Sequence, residues 1–205
     1  MIEYNKIQLG KIAQEYGFVR DTFEKVLRLK EILKYFNSES YLQEHLVLKG
    51  GTAINMVIFN LPRLSVDIDM DYIPNGTKDE MAAARAQITA LIKEYMEIEG
   101  YQLSSASRFS FSLDAFHYQY RNSAGNMDNI KIELNYSLRS HILETVHSQI
   151  LTDVFEDKFE IHTLAPMEIF AAKTNALMSR AAARDLYDFN NMVYYGLFDS
   201  AEEDL

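Results

Sequence analysis

Asp67, Asp69 and Asp71 occupy every second position of "LSVDIDMDY" (64–72). On an extended chain that period of two puts Asp67 and Asp69 on one face, roughly 6–7 Å apart. Like charges held this close repel, and a cation relieves them. Glu133 is the single carboxylate of "IKIELNY" (130–136), where Ile130, Ile132, Leu134 and Tyr136 alternate with Lys131, Glu133 and Asn135. Asp67, Asp69 and Glu133 would therefore supply three oxygen ligands from two strands. Such a set suits Mg²⁺ (or Mn²⁺), which takes a few carboxylates and completes its shell with water and substrate phosphates. Ions in that position can activate an attacking oxygen and stabilise a departing pyrophosphate. The alternative is an edge strand with a solvated acidic face. Asp71 is expected to be a solvated strand end.

A second feature lies just upstream. In "LVLKGGTA" (46–53) an apolar strand runs into Gly50 and Gly51, and a helix begins with Thr52 near its N-cap. Free backbone N–H groups and the positive end of a helix dipole favour an anion, and glycine lets a phosphate approach the backbone. GxxxxGK[ST] is missing, so this is not a Walker A loop. Far downstream, the stretch from Lys173 to Arg184 carries Lys173, Arg180 and Arg184 with no acid among them. These are candidate phosphate partners. They can also be read as helix-surface charges, with Arg184 and Asp188 forming a structural i,i+4 pair.

The elements that must position these residues follow from periodicity. Residues 6–16 and 20–38 read as helices, the second with Phe23, Val26, Leu27, Ile32, Leu33 and Phe36 at helical spacing. Residues 45–49 form a short buried strand, followed by a helix to about Asn60, and Pro62 closes that unit. The alternating strand 64–72, a turn at Asn75–Gly76 and a helix over about 78–98 come next. Strands are expected at 108–113 and 116–120 with a bulge or bend at Asp114–Ala115, then a loop over 121–129 and the strand 130–136. Residues 140–158 are open between helix and strand. A strand at 159–164 precedes a helix opened by Pro166 (166–178), and a last helix covers about 183–195. Tyr187, Tyr194 and Tyr195 are expected to be packing residues.

Composition narrows the class. The 205 residues are 48% hydrophobic and 24% charged, with 3 Pro and no Cys, as in an ordinary globular chain without disulfides or thiolate metal sites. The five histidines form no HxH or HExxH pair. No apolar run reaches the ~18–20 residues of a membrane span, and the N-terminus lacks the apolar stretch of a signal peptide, so a cytoplasmic location without membrane contact is expected. A net charge of −10 argues against a broad basic surface for long nucleic acid, though not against a local one.

"KGGTAINMVIFNLPRLSVDIDMDY" resembles the signature of the AbiEii/AbiGii toxin family, nucleotidyltransferase-like proteins of abortive-infection and toxin–antitoxin systems. The matching positions are Gly50-Gly51-Thr52-Ala53, Arg63 and Ser65-Val66-Asp67-Ile68-Asp69. A second block, "EIFAAKTNALMSRAAARDLYDF", resembles the family's late lysine helix, arginine and R-D-x-x-D: Lys173, Arg180, Arg184, Asp185 and Asp188. Asn55 departs from the usual leucine. The resemblance implies an α+β nucleotidyltransferase fold, a short mixed β-sheet flanked by N-terminal and C-terminal helices. Residues 1–165 would form the core and 166–205 a C-terminal helical part of the same unit. It also implies a nucleotide site of Gly50, Gly51, Thr52, Arg63, Ser65, Lys173, Arg180 and Arg184, and a catalytic set of Asp67, Asp69, Lys173 and Asp185. The implied metal is Mg²⁺ or Mn²⁺ on Asp67 and Asp69, with Glu133 added from strand parity. The implied activity is transfer of a nucleotide from a nucleoside triphosphate to RNA, with the tRNA acceptor end as the expected target, and the implied partner is a cognate antitoxin. Transfer to a protein or small molecule, or nucleotide binding without catalysis, are the other readings.

Overall fold

A computed structural model describes residues 4–150 and 158–194. The N-terminal helices are α1 (Lys6–Glu15), capped by the Asn5 side chain, α2 (Arg20–Ser38) and the short α3 (Ser40–His45), which periodicity does not announce. Phe23, Val26, Leu29, Ile32, Leu33 and Phe36 of α2 are buried, and Leu27 and Tyr35 are partly buried against the core. That stripe is what fixes the helix against the sheet. Strand β1 (Leu46–Lys49) leads into α4 (Gly50–Ala53), which continues as a π-helical turn over Ile54–Ile58. The helix expected to reach Asn60 thus ends at Ile58. Asn55 sits fully buried in the widened turn and donates from Nδ2 to the Gly51 carbonyl at 2.7 Å. Such turns often mark functional sites.

Strand β2 (Asp67–Tyr72) starts three residues later than the alternation suggests. Helix α5 (Lys78–Ile98) begins with a capping box between Thr77 and Glu80. Two-residue strands β3 (Gln102–Leu103) and β4 (Arg108–Phe109) both pair with β5 (Leu113–Arg121). The break therefore falls at 110–112, and β5 runs straight through Asp114–Ala115, where a bend was expected. Phe109 and Phe111 stay exposed. Strand β6 (Met127–Asn135) pairs with β5 down to Arg121↔Met127, so the stretch expected as a loop over 121–129 is a tight hairpin at its tip. The ambiguous region 140–158 contains strand β7 (Val146–Gln149), and residues 151–157 lie outside the described residues. Strand β8 (Glu160–Thr163) precedes α6 (Pro166–Arg180) and α7 (Ala183–Tyr194).

The strands form one mixed sheet in the order β3-β5-β6-β2-β1-β8-β7, with β2–β6 and β1–β8 parallel. The mixed α/β architecture expected from the resemblance is present, on a wider sheet than "short" suggests. Ile68, Met70, Phe116, Tyr118, Ile132 and Leu134 fill one face and are buried. The opposite face carries the acidic positions.

Candidate active site

Register brings the two motifs together. β1 and β2 pair antiparallel with Lys49 opposite Asp69, while β2 and β6 pair parallel with Asp69 opposite Glu133 and Asp67 opposite Lys131. Directly cross-strand residues share a face. Lys49, Asp69 and Glu133 therefore form one transverse row, beside the turn that follows β1. Gly50 adopts φ +73°, and a Cβ there would lie 2.5 Å from Asp69 Oδ2. Only glycine allows both that left-handed conformation and that approach.

A cleft of about 340 Å³ opens over this row. Gly50, Gly51, Arg63, Ser65, Asp67, Asp69 and Glu133 line it from the sheet side, and Lys173, Arg180 and Arg184 from α6 and α7. Two blocks separated by about a hundred residues of chain thus face one cavity. Thr52 is not part of the lining: it is fully buried, and its hydroxyl donates to the Asp67 carbonyl. That bond ties α4 to β2, and the N-cap position belongs to Lys49 instead. Lys49 and Lys131 line the cleft as well. Sequence reasoning missed both, although each follows from the same parity that placed Asp69 and Glu133.

Burial, the charges of Glu133 and Asp67, and a hydrogen bond shared with Glu133 push the Asp69 carboxyl up to about 6, with Lys49 pulling the other way. Lys131 Nζ lies 2.9 Å from Glu133 Oε1. Burial opposes the Lys131 charge, but that hydrogen bond and the nearby acids outweigh it and raise its pKa. Asp71 is the exception to the expected pattern. It is 1% exposed, pairs with Lys49 and accepts from Asn135 Nδ2 at 2.9 Å. Asp71 is a buried partner, not a solvated strand end, because Lys49 and Asn135 fold over it.

The far wall is an ion-pair lattice. Lys173 is 8% exposed, with Nζ 3.2 Å from Asp185 Oδ1 and 3.0 Å from Asp188 Oδ2. Arg180 donates twice to Asp185, at 2.6 and 2.9 Å, and Arg63 donates twice to Asp188, at 2.7 and 2.6 Å. Asp188 pairs with Arg63 and Lys173, so the Arg184–Asp188 pair suggested by spacing is replaced by a long-range one. Arg184 is exposed on the cleft and has no ion-pair partner among the described residues. Hydrogen bonds from Arg180 and Lys173 hold Asp185 well below the usual carboxylate range, down to about 2. A carboxylate so stabilised is a weak base, so its geometry suits orienting Lys173 and Arg180 rather than abstracting a proton. Tyr187 and Tyr194 are exposed, against the packing expectation, and the Tyr187 hydroxyl donates to the Pro62 carbonyl at 3.1 Å. Tyr195 lies outside the described residues.

Among the described residues, no three His, Cys, Asp or Glu side chains converge as a ready-made metal cage. The donor chemistry nevertheless fits a hard cation. Asp69 is destabilised as an anion by burial and by its acidic neighbours, and a divalent ion would offset both. Protein ligation by one or two carboxylates, completed by water and substrate phosphates, is the usual Mg²⁺ pattern. Glu133 would have to release Lys131 to join it.

Comparison with known proteins adds an independent observation. A profile of the "Nucleotidyl transferase AbiEii toxin, Type IV TA system" family matches residues 31–203. A search of curated proteins gives no match. Among solved structures, the chain is similar to MenT4, a nucleotidyltransferase toxin from Mycobacterium tuberculosis H37Rv, with a TM-score of 0.65 and 18% identity over 92% of this chain and 64% of that one. It is similar to JHP933 from Helicobacter pylori, with a TM-score of 0.58 and 18% identity over 84% of this chain and 68% of that one. A putative nucleotidyltransferase from H. pylori gives 0.55 and 18%, over 84% and 70%. The chain thus spans about two thirds of the length of these neighbours, and the likeness to them is one of fold. No described helix is long and apolar enough to cross a membrane.

Proposed function

The chain belongs to the AbiEii family of nucleotidyl transferase toxins, and from that premise we propose that it transfers a nucleotide from a nucleoside triphosphate to RNA, the acceptor end of tRNA being the target to test first. The observation that carries this reading is the cleft itself. It sets a carboxylate row against a wall of cations across a space of about 340 Å³. Nucleotide transfer needs that polarity. A hydroxyl oxygen attacks the α-phosphorus, the α–β phosphate bond breaks, pyrophosphate leaves, and the hydroxyl proton passes to solvent.

The chain's residues divide the work. Asp67 and Asp69, with Glu133, would hold Mg²⁺ or Mn²⁺, which supplies charge neutralisation at the reacting phosphate and its nucleophile. Gly50 and Gly51, with Ser65, leave room for the triphosphate against the backbone, and Arg184, which has no ion-pair partner among the described residues, offers a cation to it. Lys173 and Arg180 present a fixed positive wall because Asp185 and Asp188 orient them. Preorganised charge of this kind is where electrostatic catalysis comes from. A toxin of this family implies an antitoxin partner, and we place the pair in the cytoplasm.

Incubation with labelled nucleotides, Mg²⁺ and total RNA tests the reading. Label should enter RNA, and Asp67→Asn and Asp69→Asn should abolish it. Label in protein or in small molecules, which the −10 charge would suit, overturns the RNA target and leaves transferase chemistry. Absence of transfer with intact nucleotide binding leaves a binding module. Expression without the antitoxin should arrest growth, and harmless expression in the native host overturns the toxin reading.

A further inference from the structure

We propose that the open face of β5 and β6 is the seat of the acceptor, a single strand of RNA whose terminal hydroxyl reaches the carboxylate row. This rests on the RNA reading above. The row Lys49–Asp69–Glu133 continues by register through Ala115 of β5 to Arg108 of β4. One flank of the row is closed by the Gly50–Gly51 turn and by α6 with its cations. A displacement at phosphorus has its nucleophile and leaving group on opposite sides. If the triphosphate lies against the cationic wall, the acceptor comes in over β5–β6.

The composition of that face matches one partner chemistry. On the site side, His117, Gln119 and Arg121 of β5 stand opposite Lys131, Asn129 and Met127 of β6. Gln119, Arg121 and Asn129 are exposed, and His117 and Lys131 are half-buried. Beyond Glu133 these strands place no acid on this face, in a chain of net charge −10. Their two other carboxylates project to the opposite side. Asp114 accepts from Arg85 of α5 at 2.9 Å, and Asp128 lies 2.8 Å from Lys25 of α2. The face thus combines cations, amides and an imidazole, with Met127 its one exposed apolar side chain. A protein interface is built around an apolar or aromatic core, which is missing here. Phosphate and base edges are read by Arg, Lys, Asn and Gln, and single strands track cationic grooves. From Glu133 to Asn129 the strip runs roughly 13 Å along β6, long enough for a few nucleotides.

Gln119 provides the test, because it is exposed, lies outside the cleft lining, and has no described side-chain hydrogen bond. Full-length protein is titrated with a short fluorescent single-stranded RNA, and nucleoside triphosphate binding is measured in parallel by calorimetry. Gln119→Glu should weaken RNA binding about tenfold and Gln119→Lys should tighten it with a steeper salt dependence, both with unchanged nucleotide affinity. The gain in the lysine variant cannot come from misfolding. Lys11→Glu, a charge change on exposed α1, should leave RNA affinity within about twofold. If wild type binds RNA and both Gln119 variants match it, the β5–β6 seat is overturned while the RNA target stands. Should wild type bind nucleotide but no RNA, both this inference and the RNA target fall.

Discussion

Replacing Asp69 by Asn should stabilise the metal-free protein, and by an amount that depends on pH in a defined direction. The Asp69 carboxyl is raised from 3.8 to about 6 by burial and by its acidic neighbours. A group whose folded pKa is raised contributes stability that is complete below its unfolded pKa and lost as pH rises through the folded one. For Asp69 that window runs from about pH 4 to beyond pH 6. Raising the carboxyl from 3.8 to about 6 corresponds to about 3 kcal/mol, an upper figure because the cleft leaves part of the carboxylate in solvent. Asparagine keeps the shape and can donate to Glu133 without charge. In EDTA, Asp69→Asn should therefore unfold like wild type near pH 4 and melt roughly 6–12 °C higher at pH 8. Adding Mg²⁺ at pH 8 should raise the wild-type melting temperature more than that of the variant, closing the gap. Thermal melts across pH 4–8 check this. An equal offset at both ends, or a less stable variant at pH 8, refutes the clustered-charge reasoning.

Other outcomes follow from the same structure. Lys173→Met removes the cation shared by Asp185 and Asp188 and should cost about 3 kcal/mol in urea unfolding, since each acid keeps one arginine. Loss of toxicity in Lys173 variants must therefore be read beside protein level. Asp185 has a lowered pKa, so its contribution is present above about pH 4 and lost as pH falls toward about 2. Asp185→Asn should flatten the acid limb of the stability profile, as acid titration followed by circular dichroism would show. Gly50→Ala meets both a φ of +73° and Asp69 Oδ2, and should destabilise by about 1–3 kcal/mol. Gly51→Val would push on Ser65 Oγ and the Arg63 guanidinium, at 2.8 and 3.1 Å from a Cβ, and should weaken nucleotide binding in calorimetry more than it lowers the melting temperature.

What the chain encodes locally was legible in its sequence. The period of two in 64–72 and 130–136 announces which side of each strand is apolar, and register then places Asp69 beside Glu133 on the polar side. The apolar stripe of α2, the start of α5 near residue 78 and Pro166 at the start of α6 are likewise written within one or two turns of chain. Gly50–Gly51 after an apolar strand marks a turn with room for an anion. Partners across long separations were not legible. Arg63 and Asp188 are 125 residues apart, and their bidentate pair depends on where α7 docks against the loop after α4. Spacing alone offered Arg184 as the partner of Asp188, since a single helix specifies contacts only three or four residues along its own chain. Asp71 shares its alternation with Asp67 and Asp69, yet Lys49 and Asn135 bury it, which no period of two can encode. The identity of Asp185 as an acid was plain from the sequence. Its character as an anchor that stays charged well below the usual carboxylate range came from Arg180 and Lys173 converging on it, because a side chain's pKa is set by the groups that packing brings within a few ångströms.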